Sequence, residues 1–210
     1  MGPDCCNRWE YEDHHNAVKV GPRCSEILVE LRLGKIDAMA SLMDTRSIHK
    51  RVFKGLTPSA CVYIAGNYRG AKFPSLEHYN VKVLGDPKVG TDASLVAREM
   101  QLFMAQVNKI VAALNNFLKQ PGSSEREKLF YLLSFAAEIH TEFLRIHPYA
   151  NGNGHMGRFL VWCLAGYYKR WPQNWPFDDT PSEPYADLLT QFRNGNRDPL
   201  IARMASAFIK

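Results

Sequence analysis

His147-Pro148-Tyr149-Ala150-Asn151-Gly152-Asn153-Gly154-His155-Met156-Gly157-Arg158 joins two apolar helical patterns, one running into it from Lys128 and one leaving from about His155. The turn between them carries Gly152 and Gly154 on either side of Asn153. Glycine tolerates positive φ and lets another molecule approach the main chain. A loop of this kind feeding a helix N-terminus presents free N–H groups and the positive end of the helix dipole, which together make an anion site.

The reactive side chains flank that cradle. His147 precedes it as a candidate base, and Arg158 follows it as a fixed cation one helical turn beyond His155, so both can project from one face. A base facing a bound phosphate points to transfer of a phosphorus-containing group onto a hydroxyl. A bare Gly-Asn-Gly turn would read as a helix–turn–helix joint with a buried histidine; the His and Arg at these spacings favour the chemical reading.

The stretch closely resembles the signature of the Fic family of nucleotidyl transferases, His-Pro-Phe-x-Asp/Glu-Gly-Asn-Gly-Arg-x-x-Arg. His147, Pro148, Gly152, Asn153, Gly154 and Arg158 match it, Tyr149 replaces its Phe, and Ala136 to His140 and Phe143 to Ile146 resemble its lead-in helix. The resemblance implies a mostly α fold, a Fic-type helical bundle with a small β-hairpin flap over the active site. It implies protein AMPylation, with AMP moved from ATP onto a Ser, Thr or Tyr hydroxyl of a target protein. His147 would take the hydroxyl proton, Gly152, Asn153 and Gly154 would hold the transferred phosphate, and His155 and Arg158 would face the distal phosphates. Pro148 would fix the turn and Tyr149 would anchor it in the core. Lys72, Phe73, Pro74, Ser75 and Leu76 fall in the flap on which a target docks by strand addition.

Two positions depart from the signature. Asn151 stands where the family places its Mg²⁺ carboxylate, and an amide is a weaker ligand for a hard cation. His155 stands where the first Arg is expected. One negative and one positive charge are lost together, which keeps the pocket's balance. The alternatives are a catalytically silent module that binds a nucleotide or partner, and a transferase using another phosphate-containing donor. No Glu is followed by Gly or Asn, so the family's Ser/Thr-x-x-x-Glu-Gly/Asn inhibitory motif is missing, and restraint by a separate small antitoxin protein stays open. Gly154, where the phosphotransferase branch has Lys, argues against that activity.

Outward from the signature, the pattern gives an irregular segment over 1–22 and the Fic domain over 23–210. A helix capped by Ser25 runs to Gly34, followed by helical pieces through Lys54. Val62 to Ile64 and Tyr79 to Val83 read as strands of the flap, over about 60–84. Thr91-Asp92 caps a helix running to about Lys119, and Ser124 with Glu127 has the form of a capping box. Tyr185 to Phe192 and Asp198 to Ile209 close the chain as amphipathic helices.

Composition sets the outer bounds. The 210 residues are 46% hydrophobic and 22% charged, ordinary for a single globular domain with a full core. A scattered net charge of +5 reads as a mixed-charge surface and not as a nucleic-acid footprint. No apolar run is long enough for a bilayer span, and the N-terminus does not read as a signal, which points to the cytoplasm. The five cysteines, Cys5, Cys6, Cys24, Cys61 and Cys163, are irregularly spaced and read as reduced thiols.

Overall fold

The computed structural model describes residue 6, residues 9–83 and residues 86–208. Readings that fall on Cys5, Leu84, Gly85 and Ile209 lie outside the described residues. The described chain is mostly α: α1 (Val20–Arg32), α2 (Ala38–Met43), α3 (Arg46–Phe53), α4 (Ala93–Leu118), α5 (Glu125–Ile146), α6 (Asn153–Tyr167), α7 (Tyr185–Arg193) and α8 (Asp198–Ser206). Short 3₁₀ turns cover Tyr11–Asp13, Ala17–Lys19 and Ser59–Ile64.

Local chemistry explains most of these bounds. Asp92 accepts from the Ser94 N–H at 2.9 Å to start α4. At α5, Ser124 and Glu127 satisfy one another's backbone in a full capping box. The first helix is longer than expected, because α1 begins at Val20 and Ser25 lies within it. Val20, Cys24, Ile27 and Leu31 supply a buried stripe at helical spacing, and Pro22 sits in the first turn, where its missing N–H is not needed.

The bundle is built round α6. From His155 to Gly166 every residue of this helix is buried, against α5, α2 and α1. Gly157 permits the close approach of α5: a Cβ there would stand 3.0 Å from the His140 ring and 3.2 Å from Leu144. His140 itself is fully buried, with its Nε2 bonded to the Tyr185 hydroxyl. No helix among the described residues is long and apolar enough to cross a membrane.

The β-hairpin expected over about 60–84 is not seen among the described residues. Ser59–Ile64 is a 3₁₀ helix, and turns and coil follow. The segment packs on the buried guanidinium of Arg69, which donates to the Tyr79 carbonyl within it and to the Thr91 carbonyl beyond it. The cysteine reading also needs correction. Cys6 and Cys61, 55 residues apart, are paired in a disulfide because the N-terminal segment folds back onto the 3₁₀ turn, while Cys24 and Cys163 are free and buried.

Candidate functional site

The signature loop is held at both ends and stapled in the middle. At its start, His147 ends α5 in the left-handed region, at φ 55° and ψ 57°, an uncommon conformation for a side chain with a Cβ. Arg69, 1% exposed, holds it there. The Arg69 Nε donates to the His147 carbonyl at 2.8 Å, and Nη2 donates to the Ile146 and Thr91 carbonyls at 3.1 and 2.8 Å. Its main-chain N–H adds a bond to the Pro148 carbonyl at 2.8 Å. Gly90 and Thr91 donate to the Arg145 and Ile146 carbonyls, completing the C-terminus of α5.

In the middle, Asn153 is 2% exposed and both ends of its amide are engaged. Its Oδ1 accepts from the Tyr149 N–H at 2.8 Å and its Nδ2 donates to the Tyr149 carbonyl at 2.9 Å. The Asn153 side chain therefore closes the loop, and what Asn153 can offer an anion is its main-chain N–H. Gly152, at φ 79°, precedes α6 without a side-chain cap, leaving the first N–H groups of that helix uncapped. Tyr149 is fully buried, and the hydroxyl that distinguishes it from Phe bonds to Thr45 at 2.8 Å.

At the far end, His49 of α3 accepts from the Gly66 N–H through Nδ1 at 2.9 Å, and its Nε2 donates to the Asn151 carbonyl at 3.0 Å. Its ring stacks on Tyr149 with centroids 3.8 Å apart. His49, Thr45 and Arg69 carry no signal that marks them in the sequence. They belong to the site through contacts that span 78 to 104 residues.

The titrating groups are tuned mainly by burial, which disfavours a charged ring. Burial pushes His147 down to about 4, against the pull of the Leu144 carbonyl and with the Arg69 cation adding to the fall. Its Nδ1 donates to that carbonyl at 3.3 Å, which leaves Nε2 as the acceptor. A cavity of about 260 Å³ lies beside His147, walled by Val83, Val89, Leu144 and Leu189 and reached by the Asp86–Arg193 ion pair.

His155 and Arg158 do share a helix face, but it is turned toward residues 177–178. His155 Nε2 donates to the Asp178 carbonyl at 3.1 Å, and burial lowers it to about 4. Arg158 is 2% exposed; its Nη2 donates to the Phe177 carbonyl at 3.4 Å, and its Nε has no partner. Burial pulls this guanidinium down from its ordinary value. Tyr11 leans over the pair, with its ring 5.5 Å from His155.

The N-terminal segment also meets Asn151. Its Nδ2 donates to Glu10 at 2.5 Å and Glu12 at 3.3 Å, while its Oδ1 accepts from the Gly152 N–H at 2.5 Å. The amide oxygen that could face a cation is thus occupied, and no group of three His, Cys, Asp or Glu among the described residues is placed to hold a metal. In the flap, Ser75 and Leu76 are buried, Phe73 stacks on Tyr63 at 4.7 Å, and Lys72 and Pro74 are exposed. The Gly70 N–H bonds to the Leu76 carbonyl at 2.7 Å, closing residues 70–76 on themselves.

No curated protein matches the chain. The sequence model of the Fic/DOC family matches residues 40–165, which runs from within α2 to within α6 and takes in the whole of the clamped loop between His147 and Arg158. With that match over more than half of its length, the chain belongs to the Fic/DOC family.

Proposed function

We propose that this protein transfers a nucleoside monophosphate, AMP by default, from a nucleoside triphosphate to a hydroxyl side chain of a target protein. Family membership supports a transferase-type enzyme. The observation that carries the finer reading is the pairing of a neutral His147, whose Nε2 is a free acceptor, with the uncapped N-terminus of α6. The target oxygen attacks the α-phosphorus as its proton passes to His147 Nε2. The bond from the α-phosphorus to the bridging oxygen breaks, and pyrophosphate leaves.

The main-chain N–H groups of Asn153 and Gly154 receive the transferred phosphate, where the helix dipole favours negative charge, while the Gly152 N–H is held by Asn151 Oδ1. The cavity beside His147, with its apolar walls and hydrogen-bonding Asp86 and Arg193, suits a nucleobase. A cleft of about 500 Å³ lined by Glu10, Pro74, Ser75, Tyr79 and Ala150 suits a docked target segment. Mg²⁺ would arrive on the donor's own phosphates. A second reading, a donor with a shorter phosphate tail, is favoured by the cover over Arg158, which is 2% exposed.

The test is a panel of labelled ATP, CTP, GTP and UTP, scoring label retained on protein. His147→Ala should lower labelling by roughly 10²-fold or more, with the fold kept. Label that survives in His147→Ala would overturn the base assignment. A shorter donor that labels where all four triphosphates fail would favour the second reading.

A further inference from the structure

We infer that His49 is a positioning residue of this site, and that α3 is the floor on which the anion loop is set. The inference deepens the transferase reading, but it rests on geometry that stands without it. His49 is fully buried and lies 102 residues from the carbonyl it holds. Its two ring nitrogens have different tasks. Nδ1 receives the Gly66 N–H from the segment that covers the loop, which forces the proton onto Nε2, and Nε2–H then donates to the Asn151 carbonyl.

That carbonyl belongs to the peptide leading into Gly152, so its direction sets the direction of the Gly152 N–H. Gly152 is pressed onto the same floor. A Cβ there would come within 2.3 Å of the Phe53 ring and 3.2 Å of His49 Nε2. His49 and Phe53 stand one helical turn apart on α3, so a single helix face fixes both the carbonyl direction and the left-handed glycine. Burial, partly offset by the Asn151 carbonyl and reinforced by His155, keeps the imidazole neutral by lowering it to about 3. The tautomer therefore holds across physiological pH.

The two nitrogens can be separated by substitution. In His49→Gln the amide nitrogen falls near the place of Nε2 and keeps the loop bond. In His49→Asn the amide oxygen falls near Nδ1 and keeps only the Gly66 bond. Hydrogen exchange over residues 149–152 should speed up about tenfold in His49→Asn and stay near wild type in His49→Gln, with α5 and α6 unchanged in both. Equal effects of the two variants, or a uniform loss of protection through α5 and α6, would reduce His49 to a packing residue.

Nitrogen-15 NMR of the wild type gives a check that needs no variant. A slowly exchanging Nε2 proton with a bare Nδ1 is expected, and the opposite tautomer would overturn the inference. Donor transfer read on the same proteins keeps the two ideas apart. A wild type that transfers nothing sinks the transferase reading, while the ordering of His49→Gln and His49→Asn still decides the role of His49.

Discussion

Arg69→Met removes the clamp on the start of the signature loop while keeping an unbranched buried side chain. In the wild type, four carbonyls accept from this guanidinium, those of Tyr79, Thr91, Ile146 and His147. Ile146 keeps its bond from the Thr91 N–H, so three carbonyls lose the partner that Arg69 supplied. All three bonds are half-buried, so each stranded carbonyl costs about 1–2 kcal/mol, toward the low end for a lost partner. Part of that is returned, because methionine does not have to be stripped of water as a cation does. A net loss of roughly 2–4 kcal/mol follows, a large share of a typical domain's stability.

Urea denaturation with a shared slope would read this as a lower midpoint, and melting as a drop of about 2–4 °C per kcal/mol for a chain of this size. Arg69→Lys should recover only part of the loss, since a single ammonium cannot reproduce a planar fork over several carbonyls. The reasoning fails if the methionine variant melts with the wild type, or if lysine restores full stability.

Acid should destabilise the domain well before its carboxylates are protonated. Burial brings His49 down to about 3, and His140, His147 and His155 to about 4. The unfolded chain titrates these rings near ~6.5 and so binds protons first, and stability present above that pH is lost as pH falls toward about 4, by up to ~1.4 kcal/mol per pH unit for each ring. A urea midpoint that stays level from pH 7 to 5 would contradict this. For the protein that remains folded, transfer measured at pH 6 should match that at pH 8, because His147 is already neutral; an acid limb near 6.5 would contradict its burial. Asn153→Asp keeps the acceptor for the Tyr149 N–H but faces the Tyr149 carbonyl with a second oxygen, and should cost about 2–4 kcal/mol in chemical denaturation; an unchanged midpoint would remove Asn153 as the staple. Asn151→Asp sets a third carboxylate beside Glu10 and Glu12, so its melting temperature should fall in EDTA and recover with Mg²⁺, and identical melts in both buffers would refute the crowding.

The cover over the loop changes how the departures from the family signature are read. As sequence, Asn151 looks like a weakened metal ligand and His155 a weakened phosphate ligand. In the fold, both are partners of other chain segments. Asn151 donates to Glu10, and His155 donates to the Asp178 carbonyl. Two residues that seemed to differ from the family only in charge are the ones that bind the N-terminal segment and the 177–178 turn to the site.

What was legible in the sequence is what is decided over a few residues at a time. The caps at Asp92 and at Ser124 with Glu127 appear where local chemistry puts them, because a side chain that satisfies its own backbone depends on nothing distant. The stripes of α4 and α5 follow in the same way from helical period, and the signature announces itself by residue type. Only the tertiary structure decided that Arg69 grips the His147 carbonyl, that His49 orients Asn151, that Thr45 answers the Tyr149 hydroxyl, and that Cys6 meets Cys61. Each of these is a contact across 55 or more residues. For Arg69 and His49 the partner is a main-chain carbonyl that every residue carries alike, so residue type could not reveal it, and for Thr45 and the two cysteines only the folded chain picks the partner out. The loop's chemistry is therefore written in the sequence, while its shape comes from side chains that become part of the site only once the chain has folded around them.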